Sequence, residues 1–284
     1  MRSAAPSQLC LVLLGLLLAG NAVALYFLFN TPQLYRLKGL LVQDAARFSD
    51  ASLRTTVLGL DTAGYAIFLT YGQSNSVNSG QIGYKPRGNV LNFHNGVLYR
   101  YEDPALGGQG QQGSVWGRVG DQLVEQTAYA GAVFALAGAN GKTLEQLSRP
   151  PYYDYLLQDY AALRQQLGRV DAILLHQGEA NHRHRQAGDY RRAFIAFEQQ
   201  LRRDGITAPL YLAQASYCGN SVDEQLLAVQ DQLIREMPGV LRGPNTDTLV
   251  EPRYRLPDRC HFSAEGLDAA ATLWVQSLIQ ASEN

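Results

Sequence analysis

The sequence predicts an α/β fold with a mainly parallel sheet, and three observations carry that expectation. Short runs of β-forming residues alternate with longer segments whose apolar side chains recur at helical spacing. Two of the runs, Ala66 to Tyr71 and Ala172 to Leu175, stop abruptly in clusters of polar residues, as strands do where loops gather at one edge of a sheet. The chain is also long enough for such a fold: with 284 residues, 46% hydrophobic and 17% charged, it buries a full core. Repeated βα units imply helices on both faces of the sheet.

The elements follow in order. Leu9 to Phe29 holds about 20 apolar residues and no charge, the pattern of a membrane span or a signal sequence. Ala22-Val23-Ala24 has the small-x-small form of a cleavage site, but the apolar run continues past it through Tyr26 and Phe29. This favours an uncleaved signal-anchor over residues 1–30, with Arg2 inside and the remainder periplasmic or extracellular. Residues 31–64 read as a connector with a short helix around Leu41 to Phe48, and residues 65–284 as the domain proper.

Within the domain, strands are expected at Ala66 to Tyr71, Gly131 to Ala137, Asp171 to His176 and Pro209 to Ala215. Helices are expected at Val115 to Thr127, Tyr152 to Leu167, Gly188 to Arg203, Ser221 to Glu236 and Ala264 to Ile279. Tyr153, Leu156, Leu157, Tyr160, Leu163 and Leu167 form one apolar stripe, and Leu267, Ala270, Ala271, Trp274 and Leu278 another, so Tyr153 and Trp274 belong to the core. The stretch from Gly72 to Gly113 lacks helical periodicity and reads as irregular structure over the strand ends.

A net charge of -1 leaves no electrostatic footprint for nucleic acid and points to a small-molecule or neutral polymer partner. Cys10 lies in the apolar run, which leaves Cys218 and Cys260 as a possible disulfide pair in the exported part.

Three segments carry chemistry. In "FLTYGQSNS" a strand delivers Ser74 between two amides, Gln73 and Asn75, at the kind of strand-to-turn junction where a nucleophile is both fixed and exposed. Gly, Ser and Asn also serve ordinary turns, so the segment alone does not decide. In "LLHQGEAN" the strand ends in His176, Gln177, Glu179 and Asn181. The uncharged Gln177 amide suits an oxyanion donor, and Glu179 suits orienting a loop or binding substrate hydroxyls. His176, His182 and His184 invite a metal reading, against which Arg183 and Arg185 would repel a cation. In "PDRCHFS", Asp258 and His261 stand three residues apart before the last helix, close enough for the carboxylate to hold the imidazole. Together with Ser74 they supply nucleophile, orienter and base in the chain order Ser, Asp, His.

"GQSNS", "HQGEAN" and "DRCHFS" resemble the three signature blocks of the SGNH-type carbohydrate esterases related to sialate O-acetylesterases and acetylxylan esterases, a carbohydrate esterase family 6-like group. The resemblance covers roughly Ile67 to Leu278. It implies a three-layer α/β/α sandwich, hydrolysis of acetyl esters on sugar hydroxyls, and no metal or other cofactor. It further implies Ser74 as nucleophile, His261 as general base and Asp258 as its partner. The oxyanion hole would comprise the Ser74 N–H, Gln177 and a loop glycine, for which Gly141 is the choice and Gly138 the competitor. Gln73, Asn75, Glu179 and Asn181 are the side chains expected to bind substrate. The sequence departs from the family pattern at Ser76, where many relatives carry Met, and at Leu147, where an aromatic residue is usual. A lipase or thioesterase, or a non-catalytic carbohydrate-binding relative, are the alternative readings.

Overall fold

The segment Tyr65–Gly72 is buried at all eight positions, which only a strand covered on both faces can satisfy. In the computed structural model, which describes residues 46–182 and 187–282, this strand is β2 and lies inside an eight-stranded sheet. Its partners are β1 (Thr56–Val57), β3 (Val90–His94), β4 (Val97–Arg100), β5 (Gly131–Leu136), β6 (Ala172–His176), β7 (Leu210–Gln214) and β8 (Val240–Asn245). The order is β1-β4-β3-β5-β2-β6-β7-β8, parallel from β3 to β8, with β4 and β1 antiparallel at one edge. From β2 the chain builds toward β3 and β5 on one side and then toward β6, β7 and β8 on the other. The carboxyl end of β2 is therefore a topological switch point, where open α/β sheets leave a crevice.

Helices cover both faces. On one, α1 (Trp116–Gln126) packs against α6 (Ala264–Ser282), with the Trp116 and Trp274 rings 5.2 Å apart. Leu144–Leu147 forms α2, capped by reciprocal Thr143 and Gln146 bonds. The opposite core takes α2 together with α3 (Tyr152–Leu167), α4 (Ala187–Arg203) and α5 (Glu224–Glu236). Tyr71 of β2 stacks on Phe197 of α4 in that layer. Tyr153 and Trp274 are core residues, as their stripes require.

The structure corrects the reading of Gly72 to Gly113 as wholly irregular. Val90–His94 and Val97–Arg100 form a hairpin whose turn, Asn95-Gly96, has φ of 48° and 79°, the left-handed pair that matches strand twist. β8 was also unforeseen, because Gly243 and Pro244 disguise it; a proline is tolerated there since β8 is an edge.

Residues 46–64 are drawn into the domain. Thr56–Val57 pairs with β4, and Arg47 pairs with Asp159 of α3 while donating to the carbonyls of Gly107 and Leu136. Residues 46–48, the described end of the expected short helix, are not helical. Among the described residues no helix is long and apolar enough to cross a membrane; the segment Leu9 to Phe29 lies outside them.

His94, at the end of β3, is 4% exposed, and among the described residues neither ring nitrogen has a partner. Burial, helped by the Arg47 charge, holds its pKa down to about 4. The unfolded chain, with an imidazole near 6.5, then binds the extra proton first, so stability falls as pH drops from about 6.5 toward 4. Asp103, pushed up to about 6 by burial, acts in the opposite sense over an overlapping range. Comparison with His94→Leu cancels the Asp103 effect. Urea unfolding at pH 7 and 4.5 is expected to show the wild type losing on the order of 2 kcal/mol more than the variant. Equal losses would refute a neutral buried His94.

Candidate active site

The turn that carries Ser74 begins where β2 ends. Gly72 has φ 135°, and a Cβ there would collide with the His176 carbonyl of β6, so only glycine lets the chain turn so close to its neighbour. The Gln73 N–H donates to that same carbonyl at 3.1 Å. Ser74–Ser76 then forms a single 3-10 turn, closed by Ser76 N–H and Ser76 Oγ on the Gln73 carbonyl at 2.8 and 2.7 Å. Ser74 is thereby held at the switch point, 4% exposed.

His261 sits on the loop that precedes α6. Asp258 organises that loop with one oxygen and the imidazole with the other: Oδ1 accepts from the N–H groups of Cys260 and His261 at 2.9 and 3.1 Å, and Oδ2 from His261 Nδ1 at 2.6 Å. Burial alone would lower the His261 pKa, but the hydrogen bond and charge of Asp258, with a further push from Glu179, leave it raised. Burial would raise Asp258, yet the His261 interaction leaves it lowered. With Nδ1 occupied by Asp258, Nε2 is the nitrogen left to take a proton.

Two covalent or buried restraints hold this loop. Cys218 and Cys260 are joined in a disulfide. Arg255, 4% exposed, donates to the carbonyls of Leu249, Thr246 and Cys260 and lies over the rings of Phe262 and Tyr217. The disulfide closes a segment of sequence separation 42. For a loop of that length the chain-entropy relation gives about 4 kcal/mol. Cys218→Ser with Cys260→Ser is therefore expected to lower unfolding free energy by about 2 to 4 kcal/mol in urea titrations. A loss well under 1 kcal/mol would mean that the unfolded chain is already constrained there.

The sequence-derived site residues converge, and several of them bond to one another. Gln73 Oε1 accepts from Ala180 N–H at 2.8 Å, which braces the loop after β6. Asn75 Nδ2 donates to Glu179 Oε1 at 2.7 Å and to the Cys260 carbonyl at 3.2 Å, linking the Ser74 turn to the residue preceding His261. Glu179 also meets His176 Nε2 at 3.1 Å. Asn181 Oδ1 accepts from Gln177 Nε2 at 2.6 Å and from Leu144 N–H at 3.0 Å, while its Nδ2 donates to Glu145 at 3.2 Å. Gln73, Asn75, Glu179 and Asn181 are all buried and bonded to one another's loops. These bonds join the loops around Ser74, and Asn75 Oδ1 and Glu179 Oε2 are left without a partner among the described residues.

Gln177 is fully buried, with one side-chain hydrogen on Asn181 and the other facing Gln73 Oε1 and the Lys142 carbonyl only at 3.4 Å. The N–H groups of Ser74 and Gly141 have no acceptor among the described residues, and Gly141 has φ 63° with open space around it. Gly138, by contrast, packs tightly against the Gly72 carbonyl and the Ser76 hydroxyl. Among the described residues no group of three His, Cys, Asp or Glu side chains is placed to hold a metal. His176 is paired with Glu179, His182 Nδ1 bonds the Ser216 carbonyl at 2.7 Å, and His184 lies outside the described residues.

Sequence reasoning missed Arg255. It is one of three arginines between Arg253 and Arg259, and neither periodicity nor spacing marks it as the buried one.

The molecule is an open, mainly parallel α/β sheet with a serine turn at its switch point and an Asp–His pair beside the last helix. Among solved structures the fold recurs in a protein from Arabidopsis thaliana, with TM-score 0.59 and 16% identity over 76% of this chain and 98% of that one. It recurs in NanS, with TM-score 0.54 and 14% identity over 80% and 99%. A GDSL-like protein from Parabacteroides merdae gives TM-score 0.53 and 15% identity over 78% and 98%. At these identities the likeness is one of fold. No family model and no curated protein matches the chain in sequence.

Proposed function

We propose that this protein is a serine esterase that removes O-acetyl groups from carbohydrates of the sialate or polysaccharide type through an acetyl-enzyme. The single observation that carries the reading is the 2.6 Å bond from His261 Nδ1 to Asp258, on a loop tied by Asn75 to the Ser74 turn. It leaves an imidazole with a fixed tautomer, a raised pKa and a free Nε2.

In the first half of the reaction His261 Nε2 takes the Ser74 proton as Oγ adds to the acetyl carbonyl. The oxyanion is held by the Ser74 and Gly141 N–H groups and by the Gln177 amide. The C–O bond to the sugar breaks, His261 returns the proton to the departing alkoxide, and the acetyl group stays on Ser74. Water, deprotonated by His261, then attacks the acetyl-enzyme; the bond to Ser74 Oγ breaks, His261 returns the proton to that oxygen, and acetate leaves. Placement of the domain outside the cytoplasm, anchored by residues 1–30, belongs to the same proposal, supported by the Leu9 to Phe29 run and by a disulfide that suits an oxidising compartment.

Acetate release from a panel of O-acetylated glycans, beside p-nitrophenyl acetate and with Ser74→Ala as blank, tests the reading. Turnover of acetylated sugars is the expected result. Preference for long-chain p-nitrophenyl esters would favour a lipase, and no hydrolysis of any ester would favour a carbohydrate-binding protein.

A further inference from the structure

Asn75 and Glu179 were expected to touch substrate; they are 4% and 5% exposed and share one hydrogen bond, with Asn75 Oδ1 and Glu179 Oε2 left without a partner among the described residues. We propose that Glu179 is a positioning residue: its carboxylate, held by His176, fixes the Asn75 amide that ties the nucleophile turn to the backbone beside the base. The inference rests on the esterase reading and deepens it.

The geometry is a branched tether. Asn75 Nδ2 has two hydrogens to give, and they go to Glu179 Oε1 at 2.7 Å and to the Cys260 carbonyl at 3.2 Å. The second bond joins the residue after Ser74 to the residue before His261, across 185 positions of sequence. An ionised acceptor makes roughly twice as strong a bond as a neutral one, so the Glu179 charge fixes the amide in the rotamer that reaches Cys260. His176 Nε2, 3.1 Å from the same Oε1, fixes the carboxylate in turn. Arg255 Nη1 donates to the Cys260 carbonyl at 2.7 Å from the other side, so this carbonyl is clamped between two donors.

Glu179 stays ionised in this setting. Burial opposes its charge, but His176 and then Asn75 outweigh burial and take its pKa down to about 2. Arg255, Asp247 and Tyr190 also feel its charge. His261 faces Asp258, Glu179 and Arg255; the two carboxylates favour its protonated form and the guanidinium opposes it.

Glu179→Gln keeps the shape and one acceptor while removing the charge. It is expected to lower kcat for an acetyl ester about 10- to 100-fold, the cost of a small misplacement of reacting groups, with KM within about twofold. The acid limb of kcat/KM should also move to lower pH, because one of the two anions facing His261 is gone. Asn75→Ala, which leaves the Glu179–His176 pair in place, should lower kcat without moving that limb. Adding Glu179→Gln to Asn75→Ala should cost little further kcat, since the charge acts through the amide. Independently of turnover, hydrogen exchange in the backbone of 258–262 should quicken in both single variants.

Wild-type kcat, an unmoved limb and unchanged exchange in folded Glu179→Gln would overturn the proposal, as would kcat losses that multiply in the double variant. Should Ser74→Ala keep its activity, the esterase reading fails, while the exchange measurement still decides whether the tether exists.

Discussion

Ser74→Ala is expected to lower kcat/KM for an acetyl ester by about 10⁴-fold or more, because removal of the hydroxyl removes the covalent route while leaving the oxyanion donors in place. The turn itself should survive the change, since its closing bonds come from Ser76 and Val77 to backbone carbonyls of Gln73 and Ser74. The substitution therefore reports on chemistry rather than folding. The wild-type pH profile should carry a matching signature. The base must be neutral to accept a proton, and Asp258 raises His261 above the ordinary imidazole value. Activity should accordingly rise with pH through a limb lying above about 6.5. Stopped assays with p-nitrophenyl acetate from pH 5 to 9 check both points. Residual turnover in Ser74→Ala within tenfold of wild type would remove Ser74 from the mechanism.

Gln177→Ala should be the next most costly change, lowering kcat about 10²- to 10³-fold with little effect on KM, or roughly 2.7 to 4 kcal/mol. The reason is visible in how the amide is held. Asn181 takes one hydrogen at 2.6 Å and Glu145 fixes Asn181, so the amide cannot rotate. The other hydrogen has only long bonds of 3.4 Å, so an oxyanion that drew closer would gain a stronger bond as negative charge develops. Gln177→Glu should be at least as damaging, since it sets an anion where an anion must form. If Gln177 only braces the loop after β6, its loss would lower thermal stability instead. Active-site titration giving full acetylation rates for folded Gln177→Ala would decide for that role.

The parallel centre of the sheet was legible because each of its strands is a short apolar run closed by glycine or polar residues, and the helices between them carry clean stripes. The edges were not. Thr56–Val57 is two residues long, and Val240–Asn245 contains Gly243 and Pro244, so neither has a pattern of its own; pairing with a neighbour makes them strands. The hairpin did have a signal, Asn95-Gly96 between apolar runs, and the glycine-rich surroundings obscured it.

For the site, Asp258 and His261 could be paired from their spacing, since three residues bring side chains together in almost any tight loop. Asn75, Glu179 and Asn181 could be located but not given their roles. Polar residues at a strand end look alike whether they face solvent or each other, and only the packing of two loops 104 residues apart turns Asn75 toward Glu179.

The sheet order has one more consequence, which concerns timing. Ser74 follows the first long strand, whereas His261 follows the last strand and immediately precedes α6, which packs against α1. Apart from the β3–β4 hairpin, the strands between them are inserted by pairing with partners distant in sequence, an arrangement that folds slowly because loop closure precedes its reward. A growing chain thus displays Ser74 long before His261 exists, so under the proposed function the hydroxyl would become a reagent only once the C-terminal segment arrives.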